Sequence, residues 1–247
     1  MQLILSAKHD FFNLAHEFDV DVLSFHGFGS DLIKIYGFSP DGFMQTVLQV
    51  AAFRLFGEIV PSEEVVQIRQ FVHGRVELTR GLSLESAKFC ELMGLHPKRD
   101  EANSFARQAK LDVFKQAVER QVQQLHVVRN GMGVDRHFFG IHLMIRENEE
   151  RPDLLLDPVF LRSSQIRMCT ANMTHSGIDI WGTTDGFDPT GEQPDGISVV
   201  YFVNPRHCTF TVSARNPFSW PSKLCHHIEE VLIEMRTLLE SEHAKGT

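Results

Sequence analysis

Apolar residues in the first half of the chain recur at three- and four-residue spacing, which is the repeat of an amphipathic helix. Ser39 followed by Pro40 is typical of a helix start, because the hydroxyl caps the first turn and proline needs no hydrogen-bond partner there. Gly57 ends that helix. Further helices are predicted between Ser83 and Gly94, from about 100 to 129, from Asp135 onward, and from Leu224 to Leu238. We therefore expect the first half to be helical.

After Pro158 the chain changes to short runs rich in β-branched and aromatic residues, as strands are. Strands are predicted at residues 165–172, 178–183, 197–204 and 208–214. Asn204-Pro205 predicts a hairpin turn between the last two, and residues 183–196 predict a loop. No repeat or linker divides the chain. This order of elements indicates one α/β (α+β) domain, with a mixed sheet covered by helices.

Composition limits the classes of function. The chain has 247 residues, of which 43% are hydrophobic, and a formal net charge of -8. These values are ordinary for a globular protein with a sizeable core. The negative balance does not supply the basic surface that nucleic acids require, so we expect no nucleic-acid partner. No apolar run approaches the roughly 20 residues of a membrane span, and the start carries no leader features, so we predict an intracellular protein.

Cysteine and histidine positions predict no metal site. The four cysteines are far apart and irregularly spaced, so we expect free buried thiols rather than zinc ligands or disulfides. Histidine with aspartate four residues later occurs at His96, in a polar loop, and at His175, between two predicted strands. With 13 histidines such matches arise by chance. His175 is nevertheless kept as a candidate general base.

Four longer motifs occur in order along the chain. They are SPDGFMQTVLQVAAFR (39–54), IRQFVHGRVELTR (68–80), GMGVDRHFFG (131–140), and PDGISVVY (194–201) followed by FTVSA (210–214). Together they resemble the carnitine/choline acyltransferase family. Its patterns are SPDAxxQxALQLAYYR, RxFxxGRTExIRS, a glycine-rich turn into DRHLxGL, and PDGYGxCYN before an Ile-x-Phe-x-Ser strand. The resemblance covers nearly the whole chain, with matching separations between the motifs.

The resemblance implies a fold of two similar halves, each like chloramphenicol acetyltransferase, with the active site in a tunnel between them. Family enzymes are at least about twice as long as this chain. Their general-base histidine lies in an HxWxDG-like motif upstream of the region that matches Met1. Neither Trp181 nor Trp220 has a histidine two residues before it. Residues 1–247 therefore look like the C-terminal half, which holds most of the CoA site.

The resemblance also implies a reaction, the reversible transfer of an acyl group between acyl-CoA and the carnitine hydroxyl, with no metal. The family holds CoA with two lysines four residues apart. They correspond to Ser30 and Lys34, so one positive charge is lost. Asp41 corresponds to an acid near the pantetheine and adenine of CoA, although a first-turn acid also stabilises its own helix. Asn172 corresponds to a glutamine at the CoA site.

The positions that hold the carnitine carboxylate in the family are changed in this chain. A tyrosine corresponds to Glu63, which would repel a carboxylate. A threonine corresponds to Val76, which cannot donate a hydrogen bond. An arginine corresponds to Asn130, although Arg129 next to it would restore the charge after a shift of one residue.

The oxyanion region is changed as well. A Ser-Thr-Ser motif corresponds to Cys169-Thr170-Ala171, and Ala171 lacks the hydroxyl of the last serine. Loss of one such donor costs on the order of 3 kcal/mol of transition-state stabilisation. Trp181 lies near the position that sets acyl-chain length in the family, and its bulk favours a short acyl group.

Two functions remain open. The chain is either part of a complete two-half acyltransferase, in a mitochondrial or peroxisomal compartment by resemblance, or a non-catalytic relative that binds CoA or a protein partner. An incomplete gene model of a longer enzyme would give the same sequence. We expect the isolated chain to bind CoA weakly and to transfer no acetyl group to carnitine. We also expect an exposed apolar surface where an N-terminal half or partner chain would lie, and hence self-association.

Overall fold

The structure is a computed structural model, and it describes residues 2–97, 104–146, 148–174, 196–215 and 219–243. The strands in these ranges are β1 (Phe18–Phe25), β2 (Ser62–Gln67), β3 (Val76–Arg80), β4 (Met168–Asn172), β5 (Ile197–Val203) and β6 (Cys208–Arg215). The helices are α1 (Gln2–His16), α2 (Ser30–Ile35), α3 (Pro40–Phe56), α4 (Leu84–Met93), α5 (Ser104–Val127), α6 (Asp135–Met144), α7 (Asp153–Leu156), α8 (Pro158–Ser163) and α9 (Trp220–His243).

The six strands form one mixed sheet in the order β1-β6-β5-β4-β2-β3. The parallel pairs are β2 with β4 and β4 with β5, and the other neighbours are antiparallel. The predicted pairing of the last two strands is confirmed, with Ile197 opposite Ala214 and Val203 opposite Cys208. The predicted α/β class, a mixed sheet covered by helices, is therefore confirmed. The predicted strand 178–183 lies outside the described residues.

Local capping signals gave correct helix boundaries. The Ser39 hydroxyl accepts a hydrogen bond from the Gly42 amide, and Gly57 ends α3 with a left-handed φ of 74°. Ser83 and Ser86 form a capping box at the start of α4. The expectation that the whole first half is helical is wrong, because β1, β2 and β3 lie in it. Two of these strands are only five or six residues long, too short for a clear alternating pattern.

Helix α3 lies in the centre of the core. Most of its residues are buried all round, because it contacts α5 and α9 as well as the sheet. Phenylalanine rings fill the contact with α5, with Phe114 centred 5.2 Å from Phe43 and 5.1 Å from Phe89. The contact with α9 holds a two-bonded ion pair between Arg54 and Glu234, at 2.6 and 3.0 Å.

Alternation along the strands divides the sheet into two faces. Val199 and Tyr201 of β5 belong to the core with α3 and α9, and we call this side the helix face. Their neighbours Val200 and Phe202 point the other way and pack with Ala171 in a separate apolar cluster, on the side that we call the far face. The two faces provide two different chemical environments.

Exposed apolar side chains concentrate on two parts of the surface. On α1, Leu3 is 86% and Phe11 is 66% exposed. None of the α6 side chains is buried, and Leu143 is 68% exposed. These surfaces are where the expected apolar patch lies, and self-association through them stays a prediction. In the described ranges, no helix is both long and apolar enough to cross a membrane.

Candidate functional site

The first turn of α3 places a carboxylate at the edge of the helix face. Gly42 lets α3 approach α5 closely, because a Cβ at this residue would lie 3.0 Å from Val118 Cγ1. Asp41 Oδ1 accepts hydrogen bonds from Asn172 Nδ2 at 2.6 Å and from the Tyr201 hydroxyl at 2.7 Å. The side chain of Asp41 is therefore held by the ends of β4 and β5 rather than by its own helix.

A second acid lies beside Asp41. Glu64 of β2 is 3% exposed, and its Oε1 lies 3.3 Å from the Tyr201 hydroxyl. Gln121 Nε2 of α5 donates to Glu64 Oε2 at 3.3 Å. Burial first, and then the negative charge of Asp41, raise the pKa of Glu64 well above its usual value. The charged form of Glu64 is therefore less favoured than that of a free glutamate.

Gln45 and Thr170 complete the hydrogen bonds around these acids. Gln45 Nε2, one helical turn after Asp41, donates to Thr170 Oγ1 at 2.9 Å and to the Tyr201 hydroxyl at 3.0 Å. The Thr170 hydroxyl donates in turn to the Glu63 carbonyl at 3.0 Å. We refer to these connected side chains as the Asp41 network: Asp41, Gln45, Glu64, Gln121, Thr170, Asn172 and Tyr201.

A cavity of about 440 Å³ opens beside the Asp41 network, at the carboxyl ends of the parallel strands β2 and β4. Its polar lining combines two acids, two arginines, three amides and a hydroxyl: Asp41, Glu64, Arg69, Arg129, Gln67, Gln70, Asn172 and Thr174. Asn172 Oδ1 accepts from the Thr174 amide and hydroxyl, at 2.9 and 2.6 Å. The cavity thus offers both donors and acceptors, which suits a ligand that carries amides and negative charge.

Of the predicted CoA residues, the structure brings Asp41 and Asn172 together but leaves Ser30 and Lys34 elsewhere. Ser30 is buried, and its amide donates to the Asn204 carbonyl at 2.8 Å. Lys34 is exposed on α2. Neither Ser30 nor Lys34 lines the Asp41 cavity.

A second cavity, of about 750 Å³, adjoins the other side of the α3 start. It is lined by the chain from Tyr36 to Ser39 and by one face of α5. Lys115 of α5 lies in this lining and is exposed. Sequence reasoning missed this lysine, because nothing local distinguishes it from the other charged residues of α5.

The predicted acceptor residues Glu63 and Val76 lie on the far face, separated by the sheet from the Asp41 network. Glu63 is opposite Arg80 of β3 and beside Cys169 of β4. Burial raises the pKa of the Glu63 carboxyl, and the Arg80 charge acts against this rise. Val76 is at the other end of the hairpin, opposite Gln67. Glu63 therefore places on the far face an acid whose negative charge is partly compensated by Arg80.

Arg129 and Asn130 follow α5 in a wide helical turn, Val128–Met132, that contains Gly131 with a left-handed φ of 75°. Asn130 Nδ2 turns back and donates to the His126 carbonyl at 2.8 Å. Arg129 lines the Asp41 cavity. The charge next to Asn130 is thus retained, but it faces the acids of the network.

The two oxyanion-region candidates point to opposite faces of the sheet. Thr170 belongs to the Asp41 network, whereas Ala171 packs with Val200 and Phe202 on the far face. His175 and Trp181 lie outside the described residues. Within the described part of the chain, no group of three or more histidine, cysteine or acidic residues could hold a metal ion.

Sequence reasoning missed several residues of the network. Gln45 follows Asp41 by four residues, so helical spacing alone places both on one side of α3. Glu64 carried no local signal, and Tyr201 lay in a motif without a predicted role, because their partners come from α3, α5 and another strand. The Cys169 thiol is buried as expected, and the described cysteines are all free.

Comparison with known proteins gives consistent matches. The sequence model of the family described as Choline/Carnitine o-acyltransferase matches residues 1–230. Carnitine O-acetyltransferase of Columba livia is 30% identical over 96% of this chain, which spans 36% of that protein. Choline O-acetyltransferase of Sus scrofa is 29% identical, with the same coverage of both chains.

A mitochondrial carnitine O-acetyltransferase of Saccharomyces cerevisiae is 27% identical over 98% of this chain and 35% of its own length. The chain thus spans about a third of the length of these relatives. Among solved structures, a chloramphenicol acetyltransferase aligns with 91% of this chain and 94% of its own, at 12% identity and a TM-score of 0.42.

Proposed function

Because this chain belongs to the choline/carnitine O-acyltransferase family, we propose that it supplies the CoA-binding half of an O-acyltransferase. The observation that carries the proposal is the convergence of Asp41, Asn172 and Arg129 on one cavity. These residues come from motifs far apart in sequence, and they are joined by direct hydrogen bonds or share the cavity wall. Acyl-CoA is the co-substrate in this proposal, and no metal takes part.

In this proposal the pantetheine arm of CoA lies in the Asp41 cavity. Asn172 and Thr174 bind its amides, and Arg129 offsets the acids and attracts the negatively charged ligand. Lys34 of α2 and Lys115 of α5, both exposed, supply positive charge for the phosphates. Ser30 contributes no charge, so binding is weak and sensitive to salt.

The chemical step transfers the acyl group from sulfur to oxygen. A base in the other half removes the proton of the acceptor hydroxyl, and the oxygen attacks the thioester carbonyl carbon. The C–S bond then breaks, and the CoA sulfur takes up the proton. Ala171 offers no hydroxyl to the oxyanion, so this chain contributes little to that charge. The isolated chain therefore does not catalyse transfer.

The far face favours an acceptor alcohol without a carboxylate. Glu63 carries an acid where a carboxylate would need a donor, Val76 is apolar, and Asn130 is turned toward His126. Carnitine has a carboxylate and choline does not, while both carry a quaternary ammonium group that an acid attracts. The acceptor proposed here is therefore of the choline type, with a short acyl group.

The remaining partner is the rest of a two-half enzyme. The relatives are about three times as long as this chain, and the exposed apolar side chains of α1 and α6 offer surface for such a half. An intracellular compartment, mitochondrial as in the name of the yeast relative or peroxisomal, belongs to the same proposal.

Calorimetric titration of CoA into the purified chain at low salt tests this function. Arg129→Gln should weaken binding several-fold, because it removes the positive charge from the cavity wall. Arg151→Gln, an exposed residue outside both cavities, should leave the affinity unchanged. Absence of CoA binding, or equal affinity of both variants, would contradict the proposal.

The second candidate function is non-catalytic CoA binding, and the observation that favours it is the apolar setting of Ala171. Mixing the chain with the preceding part of the Columba livia relative separates the two candidates. Thiol release from acetyl-CoA with choline, stronger than with carnitine, supports the enzyme. CoA binding without any release in a stable complex supports the binding protein.

A further inference from the structure

The far face contains two buried hydroxyl groups that have no hydrogen-bond partner. Ser198 is 1% and Thr211 is 5% exposed, and neither Ser198 Oγ nor Thr211 Oγ1 has a partner in the described structure. A buried hydroxyl without a partner is unfavourable, and native structures rarely keep one without a reason. These two hydroxyls are therefore candidates for hydrogen bonds to a ligand.

Both hydroxyls lie close to the predicted oxyanion position. In the register of the sheet Ala171 is opposite Val200, and Val200 is opposite Thr211. Two strand spacings place the backbone of Thr211 roughly 10 Å from that of Ala171. Ser198 is two residues before Val200 and points to the same face. The hydroxyls thus border the apolar cluster that begins at Ala171.

We propose that Ser198 and Thr211 bind a polar oxygen on the acyl group, a hydroxyl or keto oxygen a few carbons from the thioester. This inference rests on the proposed function, and it takes the thioester carbonyl to lie beside Ala171, at the position of the oxyanion-region serine. Val200 and Phe202 then contact the hydrocarbon part of the acyl group, and the two hydroxyls donate to its oxygen.

The sequence supports a specific role for Ser198. The family pattern PDGYGxCYN has glycine at this position, so the hydroxyl is an addition in this chain. A site built to hydrogen-bond an oxygen discriminates against an analogue that lacks it, because its own polar groups then stay unpaired. The preferred substrates are therefore hydroxyacyl-CoA or oxoacyl-CoA rather than plain acyl-CoA.

Calorimetric titration with butyryl-CoA and 3-hydroxybutyryl-CoA tests the inference. The natural chain should bind 3-hydroxybutyryl-CoA about five- to tenfold more tightly, the gain of one net hydrogen bond. Thr211→Val and Ser198→Gly should each lower this ratio, because each removes one of the two donors, and should leave the affinity for butyryl-CoA unchanged. Thr79→Val is the matched control, because Thr79 Oγ1 is also buried and unpaired but lies on the helix face.

Equal binding of the two ligands by the natural chain would overturn the inference while leaving the CoA site intact. Failure to bind any CoA compound would overturn the proposed function and this inference with it. A ratio that survives both far-face substitutions, or that falls equally in Thr79→Val, would also contradict the assignment. If Thr211→Val does not fold, the affinity ratio of Ser198→Gly decides whether the inference holds, because this substitution restores the residue of the family pattern.

Discussion

Two groups of buried polar side chains, one on each face of the sheet, differ in their hydrogen bonding, although Thr79 Oγ1 on the helix face is also unpaired. On the helix face, Asp41, Glu64 and Tyr201 are bonded to each other and to amide side chains. On the far face, Ser198 and Thr211 are equally buried but unpaired. In the proposed function, the CoA side is therefore preorganised by the protein itself, whereas the acyl side is completed by a ligand.

The largest expected effect on this comparison comes from Tyr201→Phe. The substitution removes the hydroxyl that links the two acids Asp41 and Glu64, and a hydrogen bond to a charged group is lost, so we expect a loss of about 1–3 kcal/mol of unfolding free energy. Urea unfolding followed by circular dichroism measures it. A change below about 0.5 kcal/mol would mean that the Asp41 network is not a connected unit.

The next effect is the pH dependence that Glu64 gives to the free energy of unfolding. Its pKa is raised in the folded state, so between the usual value of 4.5 and the raised value the folded chain binds more protons than the unfolded chain. The contribution of Glu64 to the free energy of unfolding is therefore largest below pH 4.5, and it is lost as pH rises through the pKa of Glu64 in the folded chain. In Glu64→Gln, unfolding free energy should fall less with rising pH than in the natural chain. Identical slopes would show that Glu64 titrates normally.

A smaller effect of opposite sign is expected on the far face. Thr211→Val replaces an unpaired hydroxyl by a methyl group of similar shape, so unfolding free energy should rise by about 1 kcal/mol in the absence of ligand. Thermal unfolding of the ligand-free chain measures this gain. Destabilisation by Thr211→Val would mean that its hydroxyl has a partner and that the two faces do not differ as described.

The sequence predicted what local chemistry determines. Ser39 and Gly57 marked the ends of α3, because a cap needs only its own turn. The short strands β2 and β3 were missed, because each has at most six residues and β2 begins with a serine and two glutamates, as a polar loop would. Glu63 faces Arg80 and Glu64 faces Gln121, partners that become neighbours only when the chain folds.

The residues of the candidate site also fall into two groups, those that motifs predicted and those that only the folded structure brings together. Asp41 and Asn172 were predicted from motifs, and the structure brings them within 2.6 Å of each other. Tyr201 lay inside a recognised motif, but its bonds to α3 and β2 required the three-dimensional register. Lys115 and the unpaired hydroxyls were missed, because neither exposure in a cavity nor the lack of a partner can be read from residue order.

The pairing of β1 with β6 has a consequence for synthesis on the ribosome. Phe18 to Phe25 hydrogen-bonds to the stretch from Cys208 to Arg215, which is synthesised long after β1. Until then β1 has an unpaired strand edge, which is prone to associate with other nascent chains. Completion of the sheet thus depends on contacts between residues far apart in the sequence. A chain that stops before Cys208 leaves β1 without a pairing strand.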